Sequence, residues 1–427
     1  MNTYVTIVGF STIVILSFCF NWISRKTNVP SVLMLIGLGM GIKAMLAAKG
    51  IKGDRFGIDT ILEILGNIGL VMIVLEASLD LELKRSKLKL IARGFIVAAF
   101  CFSATLFTIA YLFSQIYIET HFYNCLVNAV PLSILSSAII IPSIGSLSPS
   151  KKEFMVYEST FSDIIGIMVF YFMIGAEGET DKTAVALGIG SNILITLLFS
   201  VIAAFLLVVF IQRLTMKVKI FLIISLLLLM YSVGKMFHLS SLLLILAFGL
   251  VLNNTHLFAN GRLRNFFDEK IMKSILHDFH TLTLESAFLI RTFFFVLFGF
   301  SIALSSLYSW KVALNSLIIV LAFYLIRYIS LRIFSPKNIF PEVFIAPRGL
   351  ITVLLYFSIL KTKTFAIDGF DPGLLLYPIL ITSMVMAIGL LTHKGKKVSD
   401  ALLSQLPRLN PSHESDESEE TEHTTNE

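Results

Sequence analysis

Charged side chains are scarce in this sequence. Asp, Glu, Lys and Arg together make up 15% of its 427 residues, against about 25% in soluble proteins. So few charges cannot cover a water-facing surface at this length, which excludes a soluble enzyme. Cysteine is nearly absent too. Cys19, Cys101 and Cys125 lie in or beside apolar runs, with neither metal-ligand spacing nor a disulfide framework. There is no GxxxxGK[ST] and no GxGxxG after a strand, so no phosphate loop is present and ATP-driven transport by this chain alone is not expected. What abounds is apolar. Hydrophobic residues reach 56%, with 37 Phe, and mean hydropathy is +0.85. The remaining class is a polytopic membrane protein whose outer surface meets lipid.

Crossing a bilayer as a helix takes about 20 largely apolar residues. Thirteen runs qualify: 4–23, 29–48, 58–79, 90–114, 122–146, 153–175, 183–212, 218–236, 238–253, 279–304, 309–333, 339–360 and 371–392. The first lacks a small-residue cleavage site and is expected to stay as a helix. The eighth and ninth meet near His238. One set of loops holds most of the Lys and Arg, including Arg25 and Lys26, the Lys84–Lys89 cluster, Lys151 and Lys152, and Lys394, Lys396 and Lys397. Positive loops stay cytoplasmic, which predicts the N-terminus outside and the C-terminus inside, an arrangement that requires an odd number of spans. The long polar loop, about 254–278, is then cytoplasmic. A transmembrane domain over 1–395 and a cytoplasmic tail over 396–427 are expected. Seven acids and no Lys or Arg in 411–427 mean that a net charge of +6 overall becomes +13 without that segment. The tail has no apolar periodicity, so disorder is expected there. The basic body reflects its loops and not nucleic-acid binding.

Ionisable residues deep in a span cost roughly 2.5–3.5 kcal/mol each on insertion scales and call for a partner or a wet cavity. In span 6 the segment runs Glu158-Ser159-Thr160-Phe161-Ser162-Asp163. Glu158 and Ser162, and Ser159 and Asp163, are each four apart, which sets two carboxylates and two hydroxyls on one side of the helix. Oxygen donors suit a hard cation, and a carboxylate can trade that cation for a proton. Arg327 in span 11 lies about six residues from the cytoplasmic side, as Glu158 does, about 9 Å deep for both, so the two can pair if their spans touch. Arg291, about twelve residues into span 10, needs a partner within the bundle. Glu285, Asp163 and an exposed carbonyl are the candidates. Glu76 reads as a snorkelling or capping residue near the end of span 3. His121, His238 and His256 fall near span ends with no paired ligand. Gly37, Gly39 and Gly41 read as a surface for close helix approach.

Proline marks two interrupted spans. Span 5 carries Pro131, then Ser133, Ser136 and Ser137, then Pro142. Span 12 carries Pro341, then Pro347-Arg348-Gly349. Proline removes a helical hydrogen bond. Broken spans in corresponding positions of two halves point to an inverted-repeat transporter with its site where the breaks cross.

Together these features resemble the monovalent cation–proton antiporter superfamily, which includes bacterial and animal sodium/proton exchangers. The similarity spans about residues 5–395. It extends to Val29-Pro30-Ser31-Val32-Leu33, to Gly69 through Asp80, and to Arg291-Thr292-Phe293-Phe294-Phe295-Val296. It implies an all-α fold with inverted repeats and two crossing broken helices, and a homodimer in the cell membrane. It also implies that Asp163 binds cation and proton in turn, that Glu158 and Ser159 match the Glu-Ser before it, and that Arg327 pairs with that Glu. Arg348 and Gly349 are similarly placed. The chain departs from the pattern at Ser162, where the family has Asn or Asp, and at Ile140-Ile141-Pro142, where exchangers commonly have Thr-Asp-Pro. Ala77-Ser78-Leu79 stands where Gly-Leu-Glu is usual. Potassium-efflux relatives carry a soluble nucleotide-binding domain after the membrane body. Here a short acidic tail follows, so that regulation is not expected.

The function expected is exchange of protons for Na⁺, Li⁺ or K⁺ by alternating access. It is expected to be electroneutral, with cations and protons as cargo and no cofactor. A cation channel is the alternative, but no carbonyl-filter sequence or charged ring is present. Potassium/proton efflux is a further alternative. An intramembrane Ser/His/Asp hydrolase would need a His at depth, and none of the eight His residues lies there.

Overall fold

The computed structural model describes residues 3–27, 29–49, 58–81, 83–175, 198–207, 209–210, 220–236, 241–254, 269–301, 309–334, 339–362 and 364–405. Most of run 183–212, the junction at His238, the 255–268 part of the polar loop and the tail from 406 lie outside them. Among the described residues the regular elements are helical. We number them α1 Thr3–Thr27, α2 Ser31–Ala48, α3 Ile58–Asp80, α4 Leu88–Ile116, α5 Phe122–Ser133, α6 Ser137–Ser143, α7 Pro149–Gly175, α8 Ile220–Met236, α9 Ser241–Asn253, α10 Glu269–Ser301, α11 Trp310–Phe334, α12 Leu350–Thr362 and α13 Gly373–Gln405.

Eight helical stretches are long and apolar enough to cross a membrane, and five shorter apolar ones, among them Leu198–Leu207, bring the total among the described residues to thirteen. Each falls within one of the thirteen expected runs or overlaps it. Two boundaries differ. The polar loop expected over 254–278 is shorter, because α10 already begins at Glu269; its first turns are polar, and hydropathy cannot see a helix that has left the lipid. The last helix continues through Gln405.

The helices sort into two bundles. In one, α2, α3, α9 and α10 pack on one another, with α1 and α8 against them; in the other, α4, α5, α7, α11, α12 and α13 do so. The bundles meet chiefly where α3 and α9 face α7 and α12. Within the first bundle α2 and α10 approach to backbone contact. A Cβ on Gly39 would strike the Val296 carbonyl, and one on Gly299 the Ile36 carbonyl. Gly37 and Gly41 face open space, so one glycine of the expected three serves the approach. The outward faces carry the apolar side chains that a soluble protein would hide, such as Phe10, Phe18, Phe107, Leu321 and Leu325.

Two interruptions lie inside the second bundle. α5 ends at Ser133, and the chain runs extended through Ile134 and Ser136 before α6 starts. In the other half, a single 3₁₀ turn Glu342–Phe344 leads through residues 345–349, which form no helix, into α12. The expected broken spans 5 and 12 are therefore present. Their prolines mostly flank the breaks: Pro131 lies in the last turn of α5 and Pro142 within α6. Pro347 lies in the second break itself.

Candidate functional site

Backbone groups inside a membrane must find partners within the protein, and the broken segments find them in each other. Ser136 N–H donates to the Pro347 carbonyl at 3.0 Å, which joins the two breaks directly. Gly349 permits this approach, since a Cβ there would run into the Ser136 hydroxyl. Leu135 N–H donates to Ser162 Oγ at 3.0 Å, which fastens the first break to α7. On the other side, Arg348 Nε donates to the Leu132 carbonyl at 2.6 Å and its Nη1 to the Ala346 carbonyl at 3.1 Å. A guanidinium at the carbonyl end of α5 offsets the partial negative charge there. The Phe323 ring lies under the same guanidinium, 4.1 Å from centroid to Cζ. Thr382 accepts from Arg348 N–H at 3.1 Å while donating to the Pro378 carbonyl. The part played by Thr382 was not legible in the sequence, because a Thr in an apolar run carries no signal.

Asp163 stands beside this crossing, near the centre of the 27-residue α7. It is 4% exposed, and neither carboxylate oxygen has a hydrogen-bond partner. The hydroxyl and amide of Ser137, first residue of α6, bear on it without completing a hydrogen bond. Its carboxylate reaches a small cavity whose other walls are apolar: Ile73, Val74 and Ala77 of α3, Ile164, Ile167 and Met168 of α7, Leu246 of α9 and Ile351 of α12. The cavity offers about 20 Å³ to water centres, more than the roughly 10–15 Å³ that one water needs. Both bundles contribute to its walls. Ser136 Oγ is also buried without a partner.

The two buried carboxylates of α7 part company. Glu158, fully buried, is held by Arg327 of α11, with Nη1 2.7 Å from Oε1 and Nη2 3.2 Å from Oε2. Arg327 Nε also donates to the Glu342 carbonyl at 2.8 Å. The Glu342 carboxylate pairs with Lys151 at the start of α7 at 2.7 Å, so Glu342 is anchored at two points. Ser159 donates to the Met155 carbonyl at 2.8 Å, and Ser162 is occupied by Leu135. The expected row of two carboxylates and two hydroxyls thus resolves into one carboxylate at the cavity, two groups bonded to other segments and one hydroxyl bonded to its own helix.

Arg291 finds its partners elsewhere than Glu285 or Asp163. Its Nη2 donates to Glu76 Oε1 of α3 at 3.0 Å, and its Nη1 to the Ala138 carbonyl of α6 at 3.3 Å. An exposed carbonyl was among the expected partners. Glu76 is corrected from a snorkelling residue to an ion-pair partner, since the α3–α10 packing turns it inward.

Comparisons with known proteins bear on the family and the fold. The family described as sodium/hydrogen exchanger, transmembrane, matches residues 13–393. Two structures of the sodium proton antiporter MjNhaP1 from Methanocaldococcus jannaschii superpose on the chain. One, at pH 8, does so at a TM-score of 0.65 and 18% identity, covering 92% of this chain and 100% of that one. The other, from an electron-microscopy map, gives 0.65 and 19%, covering 95% and 100%. At such identities the likeness speaks for the fold. A comparison with curated protein sequences gave no match.

Proposed function

The chain belongs to the sodium/hydrogen exchanger family and is a multi-pass cation–proton antiporter, and from that premise we propose that Asp163 is the group at which proton and cation compete. The observation that carries this reading is the Asp163 carboxylate, buried at the middle of α7, without a hydrogen-bond donor, on the wall of an otherwise apolar cavity. A buried anion in such surroundings is costly unless neutralised. A proton neutralises it, or a desolvated monovalent cation does, and one carboxylate does not hold both at full affinity. Competition of this kind couples the two fluxes without further machinery. Na⁺ is the cation the family points to, with Li⁺ and K⁺ the others to be compared.

The hydroxyls and amide around Ser136 and Ser137 are the oxygen and dipole sources at hand for the ion. Glu158, Ser162, Arg327 and Arg348 hold the crossing in shape, while Ser159 is turned onto its own helix. Movement of one bundle against the other, with the site between them, gives alternating access. With Glu158 committed to Arg327, Asp163 is the one of the two buried α7 carboxylates left to exchange, so one proton exchanges for one cation and no net charge moves. The protein works as a homodimer in the cell membrane, with its N-terminus outside and its C-terminus in the cytoplasm.

The test is purified protein in proteoliposomes with a pH-sensitive dye, with Na⁺, Li⁺ and K⁺ added in turn. Asp163→Asn keeps the shape and removes the charge, so exchange should vanish while the protein stays folded. Near-parental exchange by folded Asp163→Asn protein would overturn the assignment.

A further inference from the structure

We propose that Arg291 is a latch between the two bundles, fastening the first turn of α6 to α3, and that the ion site changes access only when this bond opens. The proposal rests on the reading of Asp163 above and adds to it a residue that controls the movement.

The argument begins in the sequence. Pro142 has no N–H, so the carbonyl four residues earlier, that of Ala138, lacks the donor an uninterrupted helix would give it. In a membrane interior such a carbonyl needs another partner. Arg291 Nη1 supplies it at 3.3 Å from a different bundle. The same guanidinium spends Nη2 on Glu76 Oε1 at 3.0 Å and Nε on the Ala287 carbonyl of its own helix at 3.3 Å. A flat, forked cation reaches three acceptors in three directions; an ammonium, a point charge, does not. The side chains of Arg291 and Glu76 are 16% and 14% exposed, so solvent does little to weaken their pairing.

Position gives the contact its meaning. Ala138 follows Ser137, whose hydroxyl and amide bear on Asp163. Glu76 precedes Ala77, which lines the Asp163 cavity. The guanidinium therefore grips α3 one residue from the cavity lining and α6 one residue from Ser137. Much of the remaining contact between the bundles is apolar, as where Gly66 of α3 lies against Leu354 of α12. Apolar surfaces slide without breaking directed bonds, whereas the bond from Arg291 to Ala138 has to break. It is also longer than the usual 2.9–3.0 Å for this type of bond, while the Glu76 arm joins helices of the same bundle. The latch thus opens at Ala138, and Arg291 stays with Glu76.

The test uses the full-length protein with Cys19, Cys101 and Cys125 replaced by Ala and with Ile351→Cys added. Ile351 is 2% exposed on the cavity wall of α12, so its reaction with N-ethylmaleimide in proteoliposomes reports departure from the latched arrangement. Arg291→Lys keeps a cation beside Glu76 but cannot span to Ala138. The Ile351→Cys thiol is expected to react about tenfold faster in that variant, the factor set by one hydrogen bond to a charged group, with the protein still folded. If Arg291→Lys does not fold, the charge-neutral pair Glu76→Gln with Arg291→Gln is measured in the same way. Equal thiol rates in parent and folded variant overturn the latch, and a fall in stability without a rate change marks Arg291 as a structural ion-pair partner only. These rates do not depend on exchange, so the Asp163 reading and the latch fail separately.

Discussion

Arg327 and Glu158 meet as a two-pronged pair, at 2.7 Å and 3.2 Å, with the Glu fully buried and the Arg 3% exposed. Desolvating both charges takes back much of what their attraction gives. The pair is therefore best understood by what happens when half of it is lost. Either Glu158→Gln or Arg327→Gln strands a buried charge, and a loss of about 3–5 kcal/mol is expected for each. The double substitution should recover part of the loss. Thermal unfolding of the two singles and the double decides this, and strictly additive losses would show that the contact is not energetically real.

Arg348 is the second test of the frame. It closes the Leu132 and Ala346 carbonyls, which would otherwise be buried without donors. Arg348→Gln should cost about 1–3 kcal/mol for each carbonyl left unpaired and should abolish exchange by loosening the crossing. Arg348→Lys, which can serve one carbonyl, should fall between. Melting temperature and Na⁺-driven proton flux are the readouts, and an Arg348→Gln protein as stable as the parent contradicts the assignment.

The crossing also predicts a steric dependence. A Cβ at Gly349 meets Ser136 Oγ and Cβ. Gly349→Ala should destabilise by about 1–3 kcal/mol, the usual size of overpacking. Adding Ser136→Gly removes two of the three obstructing atoms, leaving the flexible end of Ile139, and should restore much of the melting temperature. Failure of the second substitution to rescue the first would mean that the two segments do not touch as described.

Charge balance gives the last prediction. With Asp163 the one of the two buried α7 carboxylates left to exchange, Na⁺-driven proton flux should not change when the membrane potential is set at several values with K⁺ and valinomycin. Arg291 does not alter this count, because a guanidinium stays protonated. A steady rise or fall of rate with voltage would reject electroneutral exchange and implicate a second proton carrier.

The sequence alone determined the membrane class, because 15% charge cannot clothe a soluble body. It located thirteen apolar segments and two interrupted ones, since hydropathy and proline are local signals. It also matched Glu158 to Arg327, because depth along a span can be counted from its end. Other matters depended on which helices touch. That Glu158 would be spent on Arg327 while Asp163 kept the cavity followed from Arg327 reaching across to α7 on one side and from the facing bundle on the other. That Glu76 would turn inward to Arg291 followed from α3 lying on α10. The exact break at Ile134–Ser136, between Pro131 and Pro142, was decided by Pro347, Ser162 and Arg348, whose groups take up the freed backbone bonds. Residues up to more than two hundred positions apart supply those partners, and no local pattern encodes them.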